Sequence, residues 1–195
     1  MGQEPELDDL AVLHRVLSGE TEAFRLVVEK YGDRLRRFCA SRLGSEEEGE
    51  DAAQETLLRA YRSLGSFRLG GSFASWLFAI AANRTRTRRS RGLVEALRVE
   101  RAAAEAASAQ DPDPGDEALR SLEAGLLREA VAALPGEQRA AVELFYFAEL
   151  SVPQAAEVLS LGEEALKSRL FRARKNLRKT LEGGQPDPGG GGILS

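Results

Sequence analysis

Apolar residues recur along this chain at three- and four-residue intervals, and no stretch shows the alternation of half-buried strands. Leu7 to Leu17 predicts a short amphipathic helix closed by Ser18 and Gly19. Thr21 is placed to cap a second helix, whose Phe24, Val27, Val28, Tyr31, Leu35, Phe38 and Leu43 form one stripe up to Gly44. Ser45 with Glu48 predicts a capping box opening a third helix through Ala52, Ala53, Leu57, Ala60, Tyr61 and Leu64. Gly65 to Gly71 breaks the pattern and leaves Phe67 and Arg68 as exposed residues of a glycine-rich loop. A fourth helix starts near Ser72, buries Phe73, Trp76, Leu77 and Ile80, and runs into a series of arginines.

The stretch from Val94 to Gly115 differs in kind. It is rich in Ala, Glu and Asp, has few large apolar residues and ends in Asp-Pro-Asp-Pro-Gly, so it reads as a flexible acidic linker. Beyond it Leu119, Leu122, Leu126, Leu127, Ala130, Val131 and Leu134 predict a helix stopped by Pro135-Gly136. Helices over 137–147, 151–159 and 163–181 follow. The expected fold is all-α: two small helical domains joined by a flexible acidic linker, the second ending in a helix-turn-helix. The expected boundaries are a first domain at 1–92, a linker at 93–116, a second domain at 117–182 and a disordered glycine- and proline-rich tail at 183–195.

Composition removes several classes. No run approaches the ~18 apolar residues of a membrane span, and the acidic start lacks the order of a secretory signal. One cysteine, Cys39, excludes an internal disulfide, and with the single His14 it leaves no set of usual zinc ligands. There is no nucleophile–base pair and no phosphate-binding Gly-x-x-x-x-Gly-Lys. The expectation is a cytoplasmic protein that is not an enzyme, with no cofactor or metal. The net charge of −4 hides segregation. Six acids and no base lie between Ser45 and Glu55, five arginines and no acid between Asn83 and Arg91, and seven bases and no acid between Lys167 and Lys179. Such blocks create local fields that matter more than the sum.

The sharpest chemical signal is at the end of the chain. Ser151 and Gln154 form a capping box, Pro153 fits the first turn, and Ser160-Leu161-Gly162 is a short turn before a long helix, which is helix-turn-helix spacing. On that long helix Leu166, Leu170, Ala173, Leu177 and Leu181 share one stripe, expected to face the core. Lys167, Ser168, Phe171, Arg172 and Lys175 lie off the stripe. An outward aromatic on a one-signed basic face suits a base edge or thymine methyl, with cations on the flanking phosphates. In the first domain Phe67, Phe73, Trp76 and Phe78 lie shortly before Arg84 and Arg86 in the chain, a pairing that suits unpaired bases and their backbone. Phe73 and Trp76 also read as core residues, which leaves Phe67 and Arg68 as the better base contacts. The acid block from Glu46 to Glu55 would repel DNA and suits a basic protein surface.

Five segments in this order resemble the extracytoplasmic-function class of bacterial sigma factors. They are Glu50-Asp-Ala-Ala-Gln-Glu-Thr-Leu-Leu-Arg-Ala-Tyr61, Ser66-Phe-Arg68, Phe73-Ala-Ser-Trp-Leu-Phe-Ala-Ile-Ala-Ala-Asn83, Leu134-Pro-Gly-Glu-Gln-Arg139 and Lys167-Ser-Arg-Leu-Phe-Arg-Ala-Arg174. The resemblance implies that Asp51, Gln54, Glu55 and Leu58 grip the clamp helices of the largest subunit of core RNA polymerase. It implies that Phe67, Arg68, Ser72, Phe73, Trp76, Asn83, Arg84 and Arg86 recognise and melt the minus-ten element of promoter DNA. It further implies that Lys167, Ser168, Phe171, Arg172 and Lys175 read the minus-thirty-five element while the second domain rests on the flap of the second-largest subunit. An anti-sigma factor is the expected inhibitor. The chain departs from the family at Glu164-Ala165-Leu166, where Gly-Thr-Val is usual, and in its loop, which lacks the common acidic residue. The rival reading is a homodimeric helix-turn-helix regulator, which would leave the acidic helix and the aromatic–arginine cluster without a task.

Overall fold

The computed structural model describes residues 8–68, 70–102 and 125–183, and all the regular structure among them is helical. Helix α1 (Asp9–Leu17) is capped by Asp8, whose carboxylate accepts from the Leu10 amide at 3.1 Å. The chain then makes a 3-10 turn, Thr21–Ala23, so α2 (Phe24–Leu43) begins after Ala23 with no side-chain cap. Thr21 therefore does not cap α2. Gly44 ends α2 at φ 80°. Helix α3 (Glu46–Arg62) has Ser45 as its cap, with three glutamates in the first turn that complement the helix dipole. Helix α4 (Phe73–Ala102) runs ten residues past the expected boundary at 92, through a stretch whose Leu, Ala, Arg and Glu are all strong helix formers. The acidic stretch after Ala102 and the tail after Gly183 lie outside the described residues, as do the first seven.

Helices α2, α3 and α4 pack around Leu35, Phe38, Leu77 and Phe78, all fully buried, with α1 closing one end through Leu13. The α2–α3 approach is close enough that a Cβ on Gly49 would lie 2.6 Å from the backbone of Ala40. This small residue sets the position of α3. Val28, at the margin of the α2 stripe, remains 41% exposed rather than joining the core.

The second half contains α5 (125–132), α6 (Gly136–Val142), a π turn over Glu143–Phe147, α7 (Val152–Leu159) and α8 (Glu163–Leu181). Leu134, Leu144, Leu150, Leu166 and Leu170 form its core. Leu181, expected to face that core, is 56% exposed, because nineteen-residue α8 outruns the seven-residue α6 and eight-residue α7 that cover it.

The two halves pack on each other. Arg42 on α2 donates to Glu143 at 2.5 Å and to the hydroxyl of Thr85 at 2.7 Å. Arg34 donates to the carbonyl oxygens of Ala148 and Glu149 (2.9 and 2.8 Å), and Arg37 to the Glu149 carboxylate (2.5 Å). At the other end of the junction Ser75 donates to the carbonyl of Gln154 (3.2 Å), whose side-chain amide donates to Ser72 (3.3 Å).

Candidate nucleic-acid and polymerase interface

Three surfaces bring together the residues that the sequence singled out. The first is on α3, where Ser45 accepts from the Glu48 amide at 3.3 Å and fixes the start of the helix. Asp51, Gln54 and Leu58 are exposed on one face, and Leu58 at 48% is a large apolar side chain open to solvent between an acid and an amide. Glu55 turns toward α4, where its carboxylate pairs with Arg84 and, at 2.7 Å, with Arg88. The exposed face thus suits a protein surface, and Glu55 clasps α3 to α4.

The second surface surrounds the glycine-rich loop. A 3-10 turn over Leu64–Ser66 delivers Phe67 in an extended conformation, and the Gly71 amide closes a turn on the Arg68 carbonyl at 3.0 Å. Ser72 then accepts from the Ser75 amide at 3.2 Å in the manner of a cap. Phe67 meets Phe73 and Trp76 with ring centroids 5.6 and 5.5 Å apart, and Phe73 meets Tyr31 at 5.7 Å. Tyr31 and Phe73 are buried, while Phe67 and Trp76 are half-buried at the surface of the cluster. Phe67 is therefore less exposed than the loop pattern suggested, because its neighbours are aromatic. Phe73 supports the two outer rings from the core. Phe78 belongs to the core against Phe38.

Helix geometry divides the arginine run. Asn83 lies two turns beyond Trp76 on the same face, and its side-chain oxygen accepts from Arg86 at 3.0 Å. Both are exposed. Arg84 is rotated toward α3 and is held by Glu55. Trp76, Asn83 and Arg86 form an outward track beside Phe67 and Arg68, and Arg84 stands apart from it.

The third surface is α8. The capping box of α7 is complete, with Ser151 and Gln154 bonded reciprocally at 3.0 and 3.4 Å. Ser160 takes a left-handed conformation, φ 54°, to make the turn. Leu166, Leu170, Ala173 and Asn176 face inward, and Lys167, Ser168, Phe171, Arg172 and Lys175 are all exposed. At 100° per residue these five occupy an arc of about 140°. Phe171 is 66% exposed, so packing within its own domain does not account for it. Glu164 at 2.7 Å holds the Lys167 ammonium above its ordinary pKa. The Arg172 guanidinium rests on the Ser168 hydroxyl at 3.1 Å.

Two groups escaped the sequence reading. Asn176 is 5% exposed and donates to Gln138 at 2.9 Å, a polar seam inside an apparently apolar stripe. Glu143 is buried against Arg42, and the only signal for it was an acid alone in the apolar run Ala140 to Phe147.

Comparison with known proteins decides what these surfaces belong to. Residues 27–92 match the Sigma-70 region 2 family and residues 124–177 the Sigma-70 region 4 family. The chain is 32% identical over 176 residues to the ECF RNA polymerase sigma factor SigW of Bacillus subtilis, covering 87% of this chain and 94% of that one. It belongs to the extracytoplasmic-function sigma factors. Two solved structures share its fold. CnrH in complex with the cytosolic domain of CnrY has a TM-score of 0.68 at 24% identity, covering 89% of this chain and 97% of that one. The sigma factor RpoE in complex with the anti-sigma factor NepR from Bartonella quintana has a TM-score of 0.62 at 27% identity, covering 82% and 97%.

The activity is therefore promoter-specific initiation of transcription, and sigma factors are not catalytic subunits. A stand-alone dimeric regulator is disfavoured, since residues 27–92 match a sigma module that such a regulator does not need. Among the described residues of this sigma factor no helix is long and apolar enough to cross a membrane, and no group of three metal-ligating side chains occurs.

Proposed function

We propose that this sigma factor bridges core RNA polymerase and promoter DNA in the cytoplasm, without chemistry of its own. Its region-two domain would take residues 1–92, a connecting segment 93–116, its region-four domain 117–182 and a tail 183–195. Asp51, Gln54 and Leu58 dock on the basic clamp helices of the polymerase largest subunit, with Glu55 at the edge of that contact. Phe67, Arg68, Ser72, Trp76, Asn83 and Arg86 form the minus-ten surface. Phe73 supports its aromatic floor, and Arg84 adds charge behind it. Lys167, Ser168, Phe171, Arg172 and Lys175 enter the major groove at the minus-thirty-five element, while the rest of the domain meets the flap of the second-largest subunit.

The observation that carries this reading is the exposed Phe171 among the exposed bases Lys167, Arg172 and Lys175 on the second helix of a helix-turn-helix. The half-buried pair Phe67 and Trp76 beside an exposed Asn83 and Arg86 supports the minus-ten assignment. An anti-sigma factor is proposed as the inhibitor, in line with the NepR complex of the related RpoE. Run-off transcription with core polymerase on a promoter library tests the whole scheme. Transcripts should appear only with the chain present and should depend on both elements. A chain that shifts duplex DNA equally well without polymerase would overturn it.

A further inference from the structure

The first turn of α8 carries two acids, Glu163 and Glu164, on a helix whose exposed charges are otherwise basic up to its last residue. Acids in a first turn complement the helix dipole, but these two stand at different places around the axis. At 100° per residue Glu164 lies about 180° from the fully buried Ala173, with Phe171 and Lys175 about 20° to either side of it. Glu163 is rotated about 100° away, toward the edge of the buried stripe. Glu164 thus occupies the middle of the face that carries Lys167, Ser168, Phe171, Arg172 and Lys175, with its side chain 87% exposed. One turn further on, the Lys167 ammonium donates to the Glu164 carboxylate at 2.7 Å.

The inference rests on the reading that this face enters the major groove, where the first residues of the second helix of a helix-turn-helix meet base edges. An acid on the flank of such a face lies against phosphate. An acid at its middle lies over the base pairs, where only a hydrogen-bond donor satisfies it. The major groove offers two donors, N4 of cytosine and N6 of adenine. Adenine N6 stands beside the N7 acceptor of the same base, which repels a carboxylate, whereas cytosine presents N4 without an acceptor beside it. The paired guanine presents O6 and N7, which accept from lysine. We propose that Glu164 and Lys167 together read one C·G pair of the upstream element, Glu164 accepting from cytosine N4 and Lys167 donating to guanine. This pair differs from the one that Phe171 meets, because Glu164 and Phe171 are two turns, about 10 Å, apart along the axis, against about 3.4 Å for each base pair.

The test is run-off transcription by the full chain with core polymerase on promoters randomised across the minus-thirty-five element. The native chain is compared with Glu164→Ala and Glu164→Gln, whose helicity should be unchanged because the side chain is exposed. The native chain should favour cytosine on one strand at one position. Glu164→Ala should cut that preference on the order of 5- to 10-fold, since one hydrogen bond rather than a bidentate pair is lost. Glu164→Gln should move the preference at the same position toward adenine, whose N6 and N7 an amide meets bidentately. A change of preferred base is something that general charge repulsion does not produce. If both variants raised transcription from every promoter alike, with base preference unchanged, Glu164 would only repel phosphate and the assignment would be overturned. Identical transcription from all three proteins would overturn it as well. Phe171→Ala separates this inference from the wider reading, because it should relax a different position and leave the cytosine preference in place. A native chain indifferent to the whole element would overturn the functional reading and this inference together, whereas Glu164 variants that read the element as the native chain does would overturn this inference alone.

Discussion

Replacing Gly49 by alanine isolates the contact that sets α3 against α2. A Cβ there would lie 2.6 Å from both the backbone nitrogen and the Cα of Ala40 and 2.7 Å from its Cβ. Backbone atoms cannot rotate aside, so the helices must move apart, and overpacking of this kind costs about 1–3 kcal/mol. Three simultaneous contacts place the cost at the upper end. The better helix propensity of alanine returns about 1 kcal/mol, leaving a net loss of about 2 kcal/mol, or about 4–8 °C in Tm for a chain of this size. Gly32 in α2 is the control. Its nearest neighbour would be Val28 Cγ1 at 4.0 Å, so Gly32→Ala should stabilise by about 0.5–1 kcal/mol. Urea melts of the two variants should therefore shift in opposite directions. If Gly49→Ala were as stable as Gly32→Ala, the α2–α3 spacing described above would be wrong. Because α3 carries Asp51 and Leu58, Gly49→Ala should also weaken binding to core polymerase, and Gly32→Ala should leave it intact.

Phe171→Ala should cost on the order of 1–3 kcal/mol at the preferred upstream element and relax choice at one base position, without lowering the melting temperature. Equal loss on every member of a scrambled promoter library would remove it from base recognition. Asp51→Lys should weaken core-polymerase pull-down on the order of tenfold while leaving thermal stability within ~0.5 kcal/mol, since the side chain is exposed. Unchanged pull-down would refute the docking face on α3. Burial pushes the Cys39 thiol up to about 12. The unfolded chain loses that proton first, so the fold should lose stability as pH rises from about 9 toward 12, and Cys39→Ala should remove that part of the slope in alkaline urea melts. Identical slopes in the two proteins would contradict the burial.

Much of the architecture was legible because helical periodicity, caps and glycines agreed with one another. The Ser151–Gln154 capping box, the Gly44 stop and the inward Leu166 and Leu170 appear as the pattern implied. Failures occurred where neighbours decided the outcome. Thr21 entered a 3-10 turn, Leu181 ran past its covering helices, and Phe67 lost exposure to two aromatic neighbours. The stripe at Asn176 held a polar residue because Gln138, distant in sequence, supplies its partner. The roles of Arg34, Arg37 and Arg42 carry no local signal, since nothing in α2 itself shows that carboxylates and carbonyls more than 100 residues away meet them.

Charge blocks were a good guide to surfaces and a poor guide to individual roles. The acid block of α3 does two different things. Asp51 faces solvent, whereas Glu55 is occupied by Arg84 and Arg88. The arginine run is divided in the same way by its helix, with Arg86 outward beside Asn83 and Arg84 inward against Glu55. A count of basic residues therefore overstates the cations free to meet phosphate. A pair such as Glu55–Arg88 is only partly exposed and holds two helices in register, so its carboxylate is not available to a partner unless the arginines are released. The same logic applies at larger scale to Glu143 and Arg42, which pair with each other across the two halves of the molecule. In both places an opposite charge within the chain occupies a group that a partner could use. A net charge of −4 then says little about how this sigma factor meets DNA, because the decisive quantity is which arginines are already paired when the promoter arrives.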